Sequence, residues 1–303
     1  MAISRSQLVK ELEPGLNALF GLEYKQYENQ HEQIYVKETS DRAFEEEVML
    51  SGFAQAQVKA EGSGVAFDNA QETYTARYTH ETIALAFSIT EEAIEDNLYD
   101  RLASRYTKAL ARSMAQTKQV KAVNPLIQGL PSTDNIDSGD GVSLFNTAHP
   151  TIAGTVANTL ATQADLNETS LEQSLIDIAA MTDERGLKIA AKGVKMIIPS
   201  ELQFTAERLM KSQLRVGTAD NDINAIGSMG MLPQGYVVNN FLTDTDAFYI
   251  TTDVPNGMKY FERAPITTKM EGDFDTGNVR YKARERYSFG VSDFRGIFAS
   301  EGA

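Results

Sequence analysis

From Thr90 to Lys121 the apolar residues Ile94, Leu98, Leu102, Tyr106, Leu110 and Met114 recur at every fourth position. Each such step overshoots a full helical turn by about 40°, so the stripe winds around a helix about 48 Å long. Glu91, Glu92, Glu95 and Asp96 lie at its start and Lys118 and Lys121 at its end, each sign at the end where the helix dipole favours it. Ser88 with Glu91 fits a capping box, or Thr90 caps directly. Asn124-Pro125 is the expected stop. A winding stripe of this length has to be covered by several elements in succession, so the fold is constrained to be built around it.

The rest of the chain is read against that helix. Leu8, Leu12, Leu16, Leu19, Phe20 and Tyr24 follow Ser6 at helical spacing, which predicts an amphipathic N-terminal arm with Pro14 as a break or second start. Asn29 to Glu47 is polar, holds the run Glu45-Glu46-Glu47 and has no sustained period, so it reads as an extended connector. Gln55–Ala60 and Val65–Phe67 read as strand-like stretches around the turn Glu61-Gly62-Ser63-Gly64, with Lys59 beside the tip. The second arm continues through Tyr74, Ala76 and Tyr78 and ends with Ile83, Leu85, Phe87 and Ile89 on one face. A two-stranded ribbon with so few apolar residues in its outer part is not stable by itself. It needs a partner surface.

Beyond the long helix, Pro131 to Gly141 is a turn-rich acidic loop, and a Thr/Ala/Asn-rich stretch after Pro150 reads as irregular surface. A helix is predicted from Leu171 to Glu184 with Gly186 after it, a strand over Val194–Ile198, and a helix opened by Pro199 and running to Lys211. Arg215 to Gly230 reads as a flexible loop, and strands are predicted at Tyr236–Asn239 and Ala247–Thr251. Val279, Tyr281, Ala283, Tyr287, Phe289 and Val291 alternate with Arg280, Lys282, Arg284 and Arg286, a long strand with one apolar and one basic face. There is no internal repeat.

Composition narrows the chemistry. The 303 residues contain no cysteine, which removes disulfides, thiolate metal sites and thiol nucleophiles. A net charge of −14 argues against a surface that is basic throughout, so any contact with nucleic acid is local. The first twenty residues hold no signal-peptide core, and the longest apolar run, Ile83 to Phe87, is far short of the ~20 residues that cross a bilayer. His31-Glu32 lacks a second histidine at the zincin spacing, and His80 and His149 stand alone, so no metal site is expected. Asp220-Asn-Asp222-Ile-Asn224 begins like a calcium loop, but Ala225 replaces the glycine and Met231 the glutamate that such a loop requires. Phosphate-loop, dinucleotide and nucleophile-elbow motifs are missing, and His149 reads as a hydrogen-bonded structural residue rather than a base. No catalytic residue and no cofactor is expected.

Two basic features remain. Arg101, Arg105, Lys108 and Arg112 share one face of the long helix and read either as a solvated face or as a stripe turned toward a polyanion. The strand face of Arg280, Lys282, Arg284 and Arg286 repels itself unless anions lie opposite. Glu45, Glu46 and Glu47 are the only comparable acidic run, so they or the neighbouring connector are expected across that strand, within a subunit or between two.

The order of arm, ribbon and long helix opening Phe87-Ser-Ile-Thr-Glu-Glu-Ala-Ile-Glu-Asp-Asn-Leu-Tyr-Asp100, followed by Gly141-Val-Ser-Leu-Phe-Asn-Thr-Ala-His-Pro150, resembles tailed-bacteriophage major capsid proteins. The resemblance is closest to the Mu-like major head subunit family, through Ile94 to Asn97 and Gly141 to Pro150, and extends to Ile198-Pro-Ser-Glu-Leu202 and Tyr287-Ser-Phe-Gly290. The chain departs from that family in having no tryptophan and in the acidic loop from Pro131.

The resemblance implies an α+β Hong Kong 97-like capsid fold, with an N-terminal arm (1–47), an extended loop (48–89), a peripheral domain (90–190) with the spine helix over 90–121, an axial domain (191–262), and return strands to the peripheral domain (263–303). It implies a structural protein of the virion and not an enzyme: a major head subunit, assembled in the host bacterial cytoplasm as pentamers and hexamers into an icosahedral shell around double-stranded DNA. The implied partners are further copies of the chain, a portal, a decoration protein and packaged DNA, with no membrane. A start at Met1 leaves little room for a scaffolding domain before the arm, so a separate scaffolding protein is expected. Arg101, Arg105, Lys108 and Arg112 would face the shell interior. The competing readings are a hydrolytic enzyme with an acidic surface and a phage tail or adhesin component.

Overall fold

Alternation builds the largest sheet. The computed structural model describes residues 5–90, 92, 99–133, 138–214, 222–273 and 277–303, without the side chains of 5–13 and 99–102. The chain runs α1 (Arg5–Gln26), β1 (Val36–Thr39), β2 (Phe44–Leu50), β3 (Glu72–Thr79), β4 (Glu81–Ile89) and α2 (Tyr99–Gln128). It continues with β5 (His149–Thr151), β6 (Gly154–Val156), α3 (Glu168–Ala180), β7 (Gly193–Ile198), α4 (Gln203–Lys211), α5 (Ala225–Met229) and β8 (Tyr236–Val238). It closes with β9 (Phe248–Thr252), β10 (Met258–Gly272), β11 (Val279–Val291) and β12 (Ile297–Ser300).

The two long strands β10 and β11 form an antiparallel hairpin, with register shifts between Glu262 and Thr267. β4 adds antiparallel to β11 and β1 adds parallel to β10, giving the order β1-β10-β11-β4. The apolar face of this sheet carries Ile89, Met270, Val279, Tyr281 and Ala283, which pack with Leu16 and Phe20 of α1 and Ala103, Leu110, Ala111 and Met114 of α2. A second sheet, ordered β12-β9-β7-β8, holds the larger core. There Ile197, Tyr249, Ile250 and Phe298 pack with Leu171, Leu175 and Ile178 of α3 and with Ala122 and Leu126 of α2. The long helix therefore enters both cores.

Several boundaries differ from the expectations. α2 runs through Pro125 to Gln128 instead of stopping at Asn124-Pro125. A proline there removes one intrahelical hydrogen bond, and complete burial of Ala122 and Leu126 in the larger core holds the turn together. Pro14 likewise lies inside α1, with Leu16 and Phe20 anchored just beyond it. The connector 29–47 contains a 3-10 turn (Gln30–Gln33), β1 and the start of β2. Its polarity hides these strands because each buries at most one face. Ser88 is a strand residue opposite Arg280, so it does not cap the helix. Glu91, Ile94, Glu95, Asp96 and Leu98 lie outside the described residues. The stretch after Pro150 is not all surface, since Val156, Asn158, Thr159 and Leu160 are buried. α3 begins at Glu168, where Asn167 and Ser170 exchange capping bonds of 2.9 and 3.0 Å. Of the expected loop from Arg215 to Gly230, residues 215–221 lie outside the described residues, and the rest contains the short helix α5, capped by Asn224. Among the described residues no helix is long and apolar enough to cross a membrane.

Leu126 and Tyr106 occupy the same helix with different fates, 0% and 48% exposed. Leu126→Ala is expected to lose about 2–5 kcal/mol of unfolding free energy through the cavity it leaves, and Tyr106→Ala under about 1 kcal/mol, as read by urea denaturation.

Candidate assembly surfaces

The ribbon is real but differently bounded: its first strand is β2 and not Gln55–Ala60, its second is β3, which carries Tyr74, Ala76 and Tyr78 as expected, and Ile83–Ile89 leaves it as β4 to pair with β11. β2 and β3 pair antiparallel from Phe44 opposite Thr79 to Leu50 opposite Glu72. Residues 51–71 between them form no strand. A turn does form where expected, with the Ser63 N–H on the Ala60 carbonyl at 3.2 Å and Gly62 at φ +78°. Lys59, Glu61, Gly62, Ser63 and Gly64 are all exposed, and Val58 and Phe67 are 100% and 98% exposed. The flanking stretches stay irregular because nothing within the subunit covers them. At its inner end the ribbon is anchored: Tyr78 packs on Phe261 at 4.8 Å and on Gly290, where a Cβ would come within 2.6 Å of its ring. The chain then turns into β4 at buried His80, whose ring nitrogens face the hydroxyls of Ser288 and Ser40, each at 2.9 Å.

The acidic run does not meet the basic strand within the subunit. Glu45 accepts from the Ser40 hydroxyl at 2.6 Å and lies 3.9 Å from Arg42; Glu46 lies 3.7 Å from Arg77; Glu47 pairs with Lys259, which also holds Glu38 at 3.1 Å. Alternation along β2 turns Glu45 and Glu47 inward, toward cations other than those of β11. On β11, Arg280 pairs with Asp273, and Arg286 is partly covered. Lys282 and Arg284 are exposed opposite Ala86 and Ala84, and among the described residues no carboxylate lies within ion-pair distance of either. This outer sheet face is lined by small and basic side chains.

The helix stripe is also exposed at Arg105, Lys108 and Arg112, while only the backbone of Arg101 is described. Lys108 lies 3.8 Å from Glu23 of α1. Arg112 lines a cleft of about 370 Å³ with Tyr27, Glu28, Gln116 and Phe241. The arm helix therefore runs beside the stripe and leaves it accessible.

His149 is structural. It is buried, with Nδ1 2.6 Å from Asp140, Nε2 3.0 Å from the Asn158 side-chain oxygen, and its ring stacked 3.8 Å from Phe294. Asn158 donates in turn to the carbonyls of Leu144 and Phe294 at 2.7 and 3.1 Å. Burial acts to raise the Asp140 pKa, but the hydrogen bonds from His149 and Ser138 outweigh it and leave it below the ordinary value. No nucleophile is placed beside this ring by any of these contacts. Among the described residues no three His, Asp or Glu side chains gather as a metal site.

Sequence reading missed the buried ionic groups. Glu285 occupies the apolar phase of β11 and is 2% exposed; Lys118 of α2 and the Tyr24 hydroxyl of α1 each lie 3.3 Å from its Oε2. Burial pushes its carboxyl above the ordinary range, and Lys118 and Tyr24 offset this only in part. The signal was available: an acid stands where the alternation calls for an apolar residue. Arg295 is likewise buried between Glu184 at 2.8 Å and Asp293 at 3.3 Å. Nothing in the local pattern marks that triad.

These features define a subunit with a well-packed core and an uncovered loop. Solved structures share the fold. The virus-like particle from Pyrococcus furiosus superposes with a TM-score of 0.54 at 10% identity, over 95% of this chain and 98% of that one. The capsid of an empty GTA particle gives 0.53 at 14% over 91% of each, and that of Myoviridae phage XM1 gives 0.54 at 10% over 88% and 89%. The architecture is the Hong Kong 97-like capsid fold. The sequence profile of the phage capsid protein family matches residues 73–300, and the chain belongs to that family, as a major capsid protein of the virion. A search of curated protein sequences finds no match.

Burial and the charge of Lys118 lower the His31 pKa from 6.5 to about 4. Unfolded chains bind this proton near 6.5 and the folded one does not, so the site contributes stability above 6.5 that is lost as pH falls toward 4. Ring titration by NMR is expected to place the His31 midpoint near 4, and His31→Gln to flatten this part of the stability profile.

Proposed function

We propose that the chain assembles as pentamers and hexamers into a closed icosahedral shell around double-stranded DNA, with a separate scaffolding protein. The observation that carries this is the loop 51–71, which exposes Val58 and Phe67 and belongs to no core of its own subunit. Membership of the phage capsid family supports the same reading. The Mu-like affiliation is part of the proposal and rests on the Gly141–Pro150 segment, whose Leu144, Phe145 and His149 are buried. In this reading α1 is the arm, 51–71 the tip of the extended loop, α2 the spine, and the β7–β9 region the axial domain.

Deletion of Ala60–Gln71 is the direct test. The subunit should keep its cooperative thermal transition, because the segment contributes nothing to either core, and should fail to form closed shells in negative-stain images. Loss of the transition, or normal shells, would overturn the reading.

The exposed stripe of Arg105, Lys108 and Arg112, with Arg101 on the same helix, is read as the inner, polyanion-facing surface. Changing all four to glutamine is expected to shift stability by less than about 1 kcal/mol. The same variant should reduce DNA packaging or scaffold retention; normal packaging and retention would make the stripe a solvated face. The β11 face at Lys282 and Arg284 is read as a contact with a neighbouring copy. A chain of net charge −14 offers mostly carboxylates to such a face.

A further inference from the structure

The loop 51–71 is tied to the subunit body at very few points. At its base the Ser51 N–H meets the Gln71 carbonyl at 2.9 Å, and the Gln71 N–H meets the Ser51 hydroxyl at 3.0 Å. Within the loop, Asp68 accepts from the Ala54 N–H at 2.7 Å and clips its two sides together. Beyond that base, the bond that joins this clip to the rest of the described chain comes from Arg185. Its Nη2 donates to the Asn69 carbonyl at 2.6 Å and lies 3.9 Å from Asp68 Oδ1.

Arg185 projects from a turn that is itself fixed. The Asp183 carboxylate accepts from the Arg185 and Leu187 N–H groups at 2.9 and 2.8 Å, and the Asp183 N–H returns to the Leu187 carbonyl at 2.8 Å. The Ala153 N–H bonds the Glu184 carbonyl at 3.1 Å, and the Glu184 carboxylate is held by buried Arg295. A rigid, doubly anchored turn thus presents one guanidinium to a loop otherwise held, among the described residues, only at its base. Arg185 Nε is buried and has no hydrogen-bond partner, so the grip is through Nη2, and together with the Ser51–Gln71 base it gives the loop a second attachment and hence a direction.

We infer that Arg185 is the strut that sets the angle at which the loop leaves the subunit, and so is a positioning residue for joining one copy to the next. The inference rests on the reading of the loop as an assembly element, while its mechanical part does not. A charge-assisted bond to a carbonyl is stronger than a neutral one and directional. Holding the loop in one orientation before contact removes ordering cost from the association step.

The absence of native cysteine makes the test clean, because two introduced cysteines are the sole labelling sites. Spin labels at Val58→Cys in the loop and Ile176→Cys on α3, 100% and 60% exposed, report the loop angle by pulsed electron resonance on the unassembled full chain. The parent is expected to give one dominant distance, and Arg185→Gln a distribution about twofold wider or more, with an unchanged cooperative thermal transition. An unchanged width in folded Arg185→Gln overturns the strut. If that variant does not fold, Arg185→Met, which keeps the stem and removes every donor, decides instead: broadening supports the strut and an unchanged width rejects it. In assembly reactions, Arg185→Gln should yield fewer closed shells than the parent and Arg185→Lys an intermediate share. Equal yields would remove the assembly role. Failure of the parent itself to form shells would reject the assembly reading, whatever the label distances show.

Discussion

A single helix shared between two hydrophobic cores governs this subunit. The N-terminal part of α2 places Leu110, Ala111 and Met114 against α1 and the long sheet, and its C-terminal part places Ala122 and Leu126 in the larger core. Close-packed interiors resist compression and transmit displacement. A helix buried in both cores therefore makes the two sheets one mechanical body, from which the ribbon projects.

The seam between the two cores is polar. Lys118 and Gln119 lie on α2 between the two apolar sets, Lys118 pairing with Glu285 and Gln119 bonding His31 through its ring nitrogen and its backbone N–H, both at 3.0 Å. Lys118 also sits over the rings of Tyr260 and Tyr287 at 5.1 and 5.2 Å. Such a buried pair adds little net stability, since desolvation offsets most of the attraction, but breaking it costs about 3–5 kcal/mol. Its value here is registry. Alanine, leucine and methionine in the flanking cores would tolerate a slide of the helix by a turn, whereas Glu285 and His31 accept their partners at one setting only.

What the sequence displays depends on how completely an element buries one face. The long helix, the β11 alternation and the α4 segment were legible because each buries one face along most of its length, and β7 because it is an apolar run buried on both faces. β1 and β2 were not: β1 is short and almost wholly exposed, and β2 alternates in the opposite sense, with Glu45 and Glu47 turned inward and Phe44, Val48 and Leu50 outward. The two prolines misled for a related reason: local backbone rules give way where tertiary burial is strong, as at Pro125 beside Ala122 and Leu126. For the candidate surfaces, the exposure of the tip and of the basic residues was readable, but not their partners. Glu45, Glu46 and Glu47 find Arg42, Arg77 and Lys259 through a strand pairing that spacing does not reveal. Arg185 and Asn69, and Arg295 and Glu184, stand more than a hundred positions apart, so no local pattern could connect them.

In the proposed shell, the uncovered loop sets the energetics of association. Burying side chains such as Val58 and Phe67 against a neighbour is favourable, while ordering the loop residues that carry them costs conformational entropy. One loop meeting one neighbour therefore gains little. Ring closure changes this, because each further contact among copies already held together forms at high effective concentration. A loop held at one angle by a fixed turn gives up part of its freedom while the subunit folds, before any neighbour arrives. That division, with weak single contacts and orientation set beforehand, leaves early encounters reversible and makes the complete assembly stable.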